Sequence, residues 1–401
     1  MRKVSGAFLL IAVLVASSAS ADTVQATSLT HAQQLIDSAS GPRMVLLPPG
    51  NQVMTAPLRL KSKIILNGNG STNLIVPTNA GIQAIVGSGS VGANQVISEV
   101  DAENRRLTFA APHGFSQGDT VQIEFTNGVD WIVDKVAQVI DANTIQLHQR
   151  FVRQAVGQNV RKATPLYGID LMNFRVTGST NPVWITDAEG VTVNSVVMVG
   201  AQLSPVIYRS STVAVLNTTL DTVGGGWSFL SCTGVVFQFN TAVKHQRAGF
   251  FFRAVTNGVA NNNNCQGIPG AVAFGGNGDG FTVCNSQDVQ ADYNDVRHTS
   301  CYGTWVLDSD NVSMTGNKFL NTYTTAMYLL RNKDVVLDGN SSSTNAIGYG
   351  FTLDSNVNIT LTNNLAYQVP RGLYAVNNMQ LSVLGQRSVS TQYPDYYSGN
   401  Q

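Results

Sequence analysis

Charge is scarce in this chain. Of 401 residues only 12% are Asp, Glu, Lys or Arg, about half the share in a typical soluble domain. The two signs balance at 24 each, so the formal net charge is zero. That balance excludes a dedicated nucleic-acid binder, which needs a basic excess to neutralise phosphates. It equally excludes a charged disordered chain. Cysteine is scarce as well: four residues, without paired zinc-finger spacing, are too few for a disulfide scaffold. Gly (37) and Pro (12) stand at ordinary levels, so the chain is neither collagen-like nor low-complexity. What is present is 43% hydrophobic residues and a mean hydropathy of +0.03. That is the profile of a globular chain, with length for about two to three domains at roughly 150 residues each.

The N-terminus has the pattern of a secretion leader. Arg2 and Lys3 precede the apolar run AFLLIAVLVA (Ala7 to Ala16), and Ala19-Ser20-Ala21 offers a small-x-small cleavage site before Asp22. This predicts a signal peptide over residues 1–21. The apolar run is too short to span a bilayer as a helix, and no later run is long enough. A soluble mature protein, secreted or periplasmic, is expected, and disulfides are permitted there. Cys265, Cys284 and Cys301 lie close enough in sequence to supply one bond, and Cys232 reads as buried.

The body repeats. Asn194, Asn217, Asn240, Asn263, Asn294, Asn317, Asn340 and Asn363 recur at intervals of 23, 23, 23, 31, 23, 23 and 23 residues. The long step carries an insertion around Gly270 to Gly280. Each period holds short apolar runs (VWIT, VIYR, WSFL, FFFR, TWVL, MYLL, FTLD, LYAV) divided by Gly, Asn, Ser and Asp. Runs so short and so often broken are strands rather than helices. A period of this length with about three strands is one coil of a parallel β-solenoid, stacked about 4.8 Å from the next. Asn at a fixed turn tolerates left-handed backbone and bonds the Asn above and below, which makes the column structural. The scarcity of charge then has a cause, because like charges stacked at about 5 Å repel.

Ahead of the coils, Thr27 to Ala39 (TSLTHAQQLIDSA) predicts a short amphipathic helix with Ser28 or Thr30 as N-cap. A helix over the open end of a solenoid hides apolar core and blocks edge pairing. Helix, then MVLLPPG (Met44 to Gly50), then LRLKSKIILNGNGSTNLIV (Leu58 to Val76), then Asn-containing coils: in this order the chain resembles the pectate lyase superfamily of right-handed parallel β-helix proteins. The resemblance implies an all-β fold and covers polysaccharide lyases, polygalacturonases, uronan epimerases, phage tailspikes and non-catalytic surface proteins alike. The expected organisation is a cap with first coils over residues 22–93, an inserted small β module over 94–162, the β-helix over 163–390 and a tail over 391–401. The insert holds Glu99, Glu103 and Glu124, three of the four glutamates. Its strand-and-turn pattern reads as a small barrel-like module, either a structural insert or a flap that contacts carbohydrate.

The resemblance also implies an external groove lined by one strand of each coil and walled by loops. Four residues after each Asn stand Asp221, Lys244, Gly267, His298, Asn321, Thr344 and Tyr367, a candidate wall. At the far end of the groove strand stand Arg209, Ser231, Arg253, Asp308, Arg331, Asp354 and Asn377, with a one-residue ambiguity at Arg209 and Arg253. The densest cluster is Lys244-His245-Gln246-Arg247 with Arg253; a second is Asp295, Arg297, His298 and Tyr302. Grouped cations bind polymer carboxylates, Arg bidentately. A crowded Lys or a His serves as base, and cations stabilise the enolate-like intermediate of a β-elimination. The candidate catalytic residues are therefore Lys244, His245 and His298. The candidate substrate binders are Arg247, Arg253, Arg297, Tyr302 and Arg331. Asp308 and Asp354, two coils or roughly 9.6 Å apart, make a candidate inverting pair, or with Arg331 a surface ion-pair ladder. Trp227, Phe250, Phe252, Trp305, Tyr328 and Phe351 read mostly as core, with one or two free to stack on sugars.

Gly-His-Gly, adjacent Asp-Asp, Asp-Pro-His, His-Glu-x-x-His and Gly-x-Ser-x-Gly are all missing. The sequence therefore favours a polysaccharide lyase-like enzyme acting on an acidic polysaccharide. The alternatives are a non-catalytic glycan-binding or envelope β-helix and an inverting glycoside hydrolase. No cofactor is assigned, calcium is left open, no nucleic-acid partner is expected, and the oligomeric state is open.

Overall fold

The computed structural model describes residues 21–77, 80–126, 129–149, 155–268, 278–343, 347–389 and 391–400. The leader, most of the insertion after Ile268, and Thr344 lie outside the described residues.

Each coil of the body passes through three strands. In one coil these are Val206–Tyr208, Ser211–Leu216 and Thr219–Asp221; in the next, Trp227–Leu230, Thr233–Gln238 and Thr241–His245. Every strand pairs in parallel with its equivalent one coil on, as Val213 with Val235 and Val235 with Gly258. The first strands make a twelve-stranded sheet, and the second and third strands join a 23-stranded one. Side chains alternate in and out. In Trp227–Leu230 and Phe250–Arg253 the inward residues are Trp227, Phe229, Phe250 and Phe252, all buried. Phe229, Phe237, Phe250, Phe252 and Phe281 pack edge-on at centroid distances of 4.7 to 5.4 Å, the geometry the ring quadrupole favours. Phe351 is also core, whereas Trp305 and Tyr328 face outward and are half-buried.

Two short turns per coil carry the polar stacking, each made of one left-handed residue followed by one buried polar residue. Between second and third strands the left-handed residues include Asn217, Phe239, Asn262, Tyr293, Gly316, Gly339 and Asn363, with φ between 53° and 63°. The buried residues that follow are Thr218, Asn240, Asn263, Asn294, Asn317, Asn340 and Asn364. This corrects the expected column. Asn194, Asn217 and Asn363 are not members of the buried ladder, and its Asn residues are not the left-handed ones. From Asn240 to Asn340 each ladder amide makes both donations: Asn263 Nδ2 donates to Phe237 O and to Asn294 Oδ1, both at 3.0 Å. A second column, between first and second strands, was not anticipated. There Ser286, Ser309, Asn332, Asn356, Asn378 and Asn400 accept from the coil below in the same way.

None of the four cysteines is disulfide-bonded, which overturns the bond expected among Cys265, Cys284 and Cys301. Cys265 points into the core from a third strand, Cys284 ends a first strand in register with Arg253, and Cys301 sits in a loop. Burial pushes the Cys232 thiol up to about 12.

The one helix among the described residues, α1 (Leu29–Asp37), starts at Ser28, whose hydroxyl accepts the His31 N–H. Its buried Ala32 and Ile36 belong to the core that contains Val45 and Leu58. The insert is a closed antiparallel barrel of six strands, from Ser90–Asp101 to Asn159–Thr164. It has its own core around Ile97, Leu107, Phe109, Ile123, Val136 and Ile145. It docks through polar and charged groups on the ridge of first turns. Buried Asp187 takes Arg209 at 2.9 and 3.0 Å and Gln122 at 2.7 Å. Buried Asp130 takes Arg253 at 2.7 Å and Asn285 at 3.0 Å.

Candidate functional site

The outer face of the twelve-stranded sheet is bounded by two different edges. On one side each third strand leads into a longer loop that returns to the next first strand. Gly226, Gly249, Gly280 and Gly303 stack where these loops enter. A Cβ on Gly249 would lie 2.8 Å from the Gly280 carbonyl and 2.0 Å from Cys265 Sγ, so only glycine lets the loops approach that closely. On the other side run the first turns, covered in the early coils by the barrel. Barrel residues 129–131 reach Tyr208 and Ser231, whose hydroxyl accepts the Trp131 N–H at 2.9 Å.

Between these edges one residue per coil points outward in register. The row reads Trp184, Val206, Ser228, Phe251, Thr282, Trp305, Tyr328, Thr352, Tyr374, Tyr396. Tyr302, from the loop, sits with its ring centroid 6.0 Å from Trp305 and 5.0 Å from Tyr328. Further along, Tyr349, Tyr374 and Tyr396 stack nearly parallel at 5.2 and 5.1 Å. The buried carboxylate of Asp279 lies under the first group. It accepts from Thr282 Oγ1 at 3.0 Å and from the Tyr302 N–H at 3.2 Å. Burial raises its pKa and pushes the Tyr302 phenol up to about 12, so Tyr302 is a standing hydrogen-bond donor across neutral pH.

The residues singled out from the sequence do not converge. Lys244 and His298 occupy one left-handed column at the loop edge, φ 54° and 53°, two coils apart. Lys244 is exposed, with Nζ 3.6 Å from Asp221. His245, the very next residue, points inward. Its Nδ1 donates to the Arg247 carbonyl at 2.6 Å, leaving Nε2 to accept from the Cys265 thiol at 3.1 Å. Burial lowers its pKa. Arg247 is exposed in the loop. Arg253 is spent on Asp130 in the barrel, across the sheet from Lys244. Arg297 pairs with Asp295 on its own third strand, outside this face. Arg331 forks onto Asp308 at 2.8 and 2.9 Å on the first-turn ridge. Only Tyr302 takes a place within the aromatic row.

Asp308 and Asp354 are not equivalent positions. Asp308 is the left-handed turn residue, whereas Asp354 is in register with Leu330 at a strand end and accepts from Ser355. Their expected spacing of two coils in one column does not hold. Among the described residues no group of three or more His, Cys, Asp and Glu comes together as a metal site, and no helix is long and apolar enough to cross a membrane. Sequence reasoning missed Asp279 and the outward Trp184 and Phe251. The latter were legible as the second letters of VWIT and FFFR, the outward positions of an alternating strand.

A family model described as a right handed beta helix region matches residues 206–387. No curated protein sequence matches the chain. Solved structures similar over most of its length include the following three. The Pseudomonas phage phi297 tailspike gp61 is 14% identical, with TM-score 0.61, covering 97% of this chain and 80% of that one. The Gp54 tailspike of Acinetobacter baumannii bacteriophage AP22 is 8% identical, TM-score 0.57, with 98% and 76% covered. The Azotobacter vinelandii mannuronan C-5 epimerase AlgE4 A-module is 14% identical, TM-score 0.57, with 97% and 99% covered. With the parallel coils, the short turns and the capping helix, these likenesses make the chain a right-handed parallel β-helix protein.

Proposed function

We propose that the chain binds a carbohydrate polymer along the outer face of the twelve-stranded sheet, in the periplasm or outside the cell. The observation that carries this reading is the outward aromatic row, dense at Tyr302, Trp305 and Tyr328 and again at Tyr349, Tyr374 and Tyr396. Ring faces take the apolar faces of sugars, while the Tyr hydroxyls offer polar contacts. A row that repeats once per coil, about every 4.8 Å, suits a ligand that is itself a repeating chain. Two neighbours support a polysaccharide: the Acinetobacter phage tailspike is a complex with a capsular saccharide, and the Azotobacter protein is a mannuronan epimerase. The leader over residues 1–21 supports export.

Affinity electrophoresis against a panel of capsular and uronate polymers tests the reading. At least one polymer retards the parent protein, and Trp305→Ala and Tyr328→Ala release it. Tyr293→Ala, exposed on another face, has no effect. Equal retardation of all variants, or of none including the parent, sinks the proposal.

Turnover of the bound polymer by β-elimination is a second reading. It is favoured by Lys244 and His298 sharing one turn column beside this face. Either would take the C5 proton beside a uronate carboxylate as the C4–O glycosidic bond breaks and its oxygen leaves, protonated, on the departing chain, and the new C4=C5 bond would absorb in the ultraviolet. Flat absorbance on every uronate polymer, or unchanged rates in Lys244→Ala and His298→Ala, removes this reading and leaves binding in place.

A further inference from the structure

The aromatic row ends around a cation. Arg371 opens the first strand Arg371–Val376, in register with Tyr349 one coil before and bridged to Tyr393 one coil after. Its guanidinium carbon lies 5.3 to 5.8 Å from the ring centroids of Tyr349, Tyr374, Tyr393 and Tyr396, within the reach of about 6 Å for cation–π attraction. The last loop is tied down beside it, where Gln392 and Tyr393 donate their backbone N–H groups to the Pro370 carbonyl at 3.1 and 2.9 Å. Tyr393 and Tyr396 are 55% and 42% exposed, so the ring cluster opens to solvent.

This arginine differs from the others beside the row. Arg253 and Arg331 fork onto Asp130 and Asp308, whereas among the described residues no carboxylate pairs with Arg371. From Leu365 to Gln401 the sequence holds a single Asp or Glu, Asp395. That carboxylate is spent on the Leu373 N–H at 2.8 Å and on the Ser388 hydroxyl at 2.8 and 3.0 Å. Asp354 stands at the opposite end of the neighbouring strand Tyr349–Asp354 and accepts from Ser355. Thr344 to Ala346 and Ser390, outside the described residues, bring no carboxylate either. The Arg371 Nε is closed off without a hydrogen-bond partner, so the fork offered to a guest is the pair of terminal nitrogens. Packing among rings restrains a guanidinium, so less side-chain freedom is lost when it grips two oxygens at once. A neutral sugar needs only the rings. A sugar that carries an oxyanion gains the rings and the fork together. We infer that Arg371, with Tyr349, Tyr374, Tyr393 and Tyr396, forms a subsite for an acidic sugar residue, one bearing a carboxylate or a sulfate. This inference rests on the reading of the sheet face as a polymer site, and it names the class of polymer as anionic. It places recognition of the acid at the C-terminal end of the row, away from Lys244 and Arg247.

Affinity electrophoresis of the full chain on matched polymers tests it. The probes are polygalacturonate, alginate and hyaluronan, each beside its carboxyl-reduced neutral form, and dextran sulfate beside dextran. The parent holds the charged member of at least one pair about tenfold more tightly than the neutral member, the size of one charge-assisted hydrogen-bonded contact. Arg371→Leu removes that preference and leaves retention of the neutral member as it was, with circular dichroism unchanged. Arg371→Lys keeps the charge without the fork and retains part of the preference. A preference within a uronate pair assigns a carboxylate and one within the dextran pair a sulfate; both uphold the inference. Equal retention of both members of every pair overturns it. So does a preference that survives Arg371→Leu, or a loss in that variant that falls on charged and neutral members alike. In each of these cases the polymer face stands if Trp305→Ala still releases the polymer. If the parent retains no polymer at all, the face and the subsite fall together.

Discussion

The side-chain amide of Asn294 donates to Asn317 Oδ1 at 3.0 Å, and the Asn294 backbone N–H donates to the same oxygen at 2.9 Å. Asn317 in turn donates to the Ala291 carbonyl at 2.8 Å and to Asn340 at 2.9 Å. One buried side chain thus closes four hydrogen bonds across three coils. Asn317→Ala removes them and strands donors and acceptors in the core. With a net contribution of about 1 kcal/mol per bond and ~1–3 kcal/mol per orphaned group, a loss of roughly 3–5 kcal/mol is expected. Thermal melting checks this. The exposed left-handed neighbour Asn262 is the control, because Asn262→Gly suits its φ of 57° and should shift stability by less than about 1 kcal/mol. Equal melting of Asn317→Ala and the parent would show that the ladder does not hold the coils together.

The coil was legible because a repeat is a property of the sequence itself: the 23-residue step fixes the stacking whatever the side chains do. The phase of the turn was not. At Asn262-Asn263, Asn363-Asn364 and Asn377-Asn378 the left-handed residue and the ladder residue are both Asn, so residue identity alone does not say which is buried. The basic cluster misled for a related reason. Lys244 and His245 are adjacent in sequence, yet one points to solvent and the other into the core. The partner of Arg253 is Asp130, 123 residues away on another module, a distance at which no local pattern speaks. The aromatic row, in contrast, was written in the alternation of the first strands.

The docking of the barrel on the solenoid should depend on Asp130. Its carboxylate is 1% exposed and is shared by Arg253 and Asn285. Removing one member of a buried pair leaves the other uncompensated, at about 3–5 kcal/mol in a fully buried case. Arg253 keeps about a third of its side chain exposed, which reduces the cost to roughly 2–3 kcal/mol. Asp130→Ala should therefore loosen the interface and expose the junctions near residues 90 and 164 to limited proteolysis, while the solenoid keeps its melting transition. The double variant with Arg253→Leu should recover part of the loss. A double variant no better than the single would mean that the pair is not coupled.

Two buried groups should pull stability in opposite directions with pH. Burial raises the Asp279 pKa above its ordinary 3.8, so the folded state holds that proton more tightly than the unfolded state. Its contribution is fully present below the ordinary value and is lost as pH rises through the raised one. Burial lowers the His245 pKa below 6.5, so the folded state holds that proton less tightly. Its contribution is present above 6.5 and is lost as pH falls towards the lowered value. Asp279→Asn keeps one oxygen to accept the Tyr302 N–H and turns its amide NH2 to the Thr282 hydroxyl, which can also accept, without a buried charge. It should raise Tm at neutral pH, and less so near pH 4. His245→Gln should flatten the decline in Tm between about pH 7 and 5. Melting curves at these pH values decide both, and a Tm lowered at neutral pH in Asp279→Asn contradicts the first.

If the polymer is held by stacking, the ring at Tyr328 should matter more than its hydroxyl. Tyr328→Phe keeps the partner of Tyr302 at 5.0 Å and removes one polar contact, whereas Tyr328→Ala removes the platform. A ring contact contributes about 0.5–1.5 kcal/mol, so Ala should weaken binding roughly 3- to 10-fold beyond Phe. Salt supplies the complementary measurement. Near Trp305 and Tyr328 the flanking cations Arg253 and Arg331 are already committed to Asp130 and Asp308, whereas the Arg371 guanidinium lies over the rings of Tyr349, Tyr374 and Tyr396. In Arg371→Leu, retardation in the affinity gel should accordingly change little as ionic strength rises, because screening acts on charge and leaves stacking intact. A polymer released by moderate salt, with Tyr328→Ala and Tyr328→Phe indistinguishable, would move the affinity from the rings to the lysine and arginine side chains at the loop edge, Lys244 and Arg247 first among them.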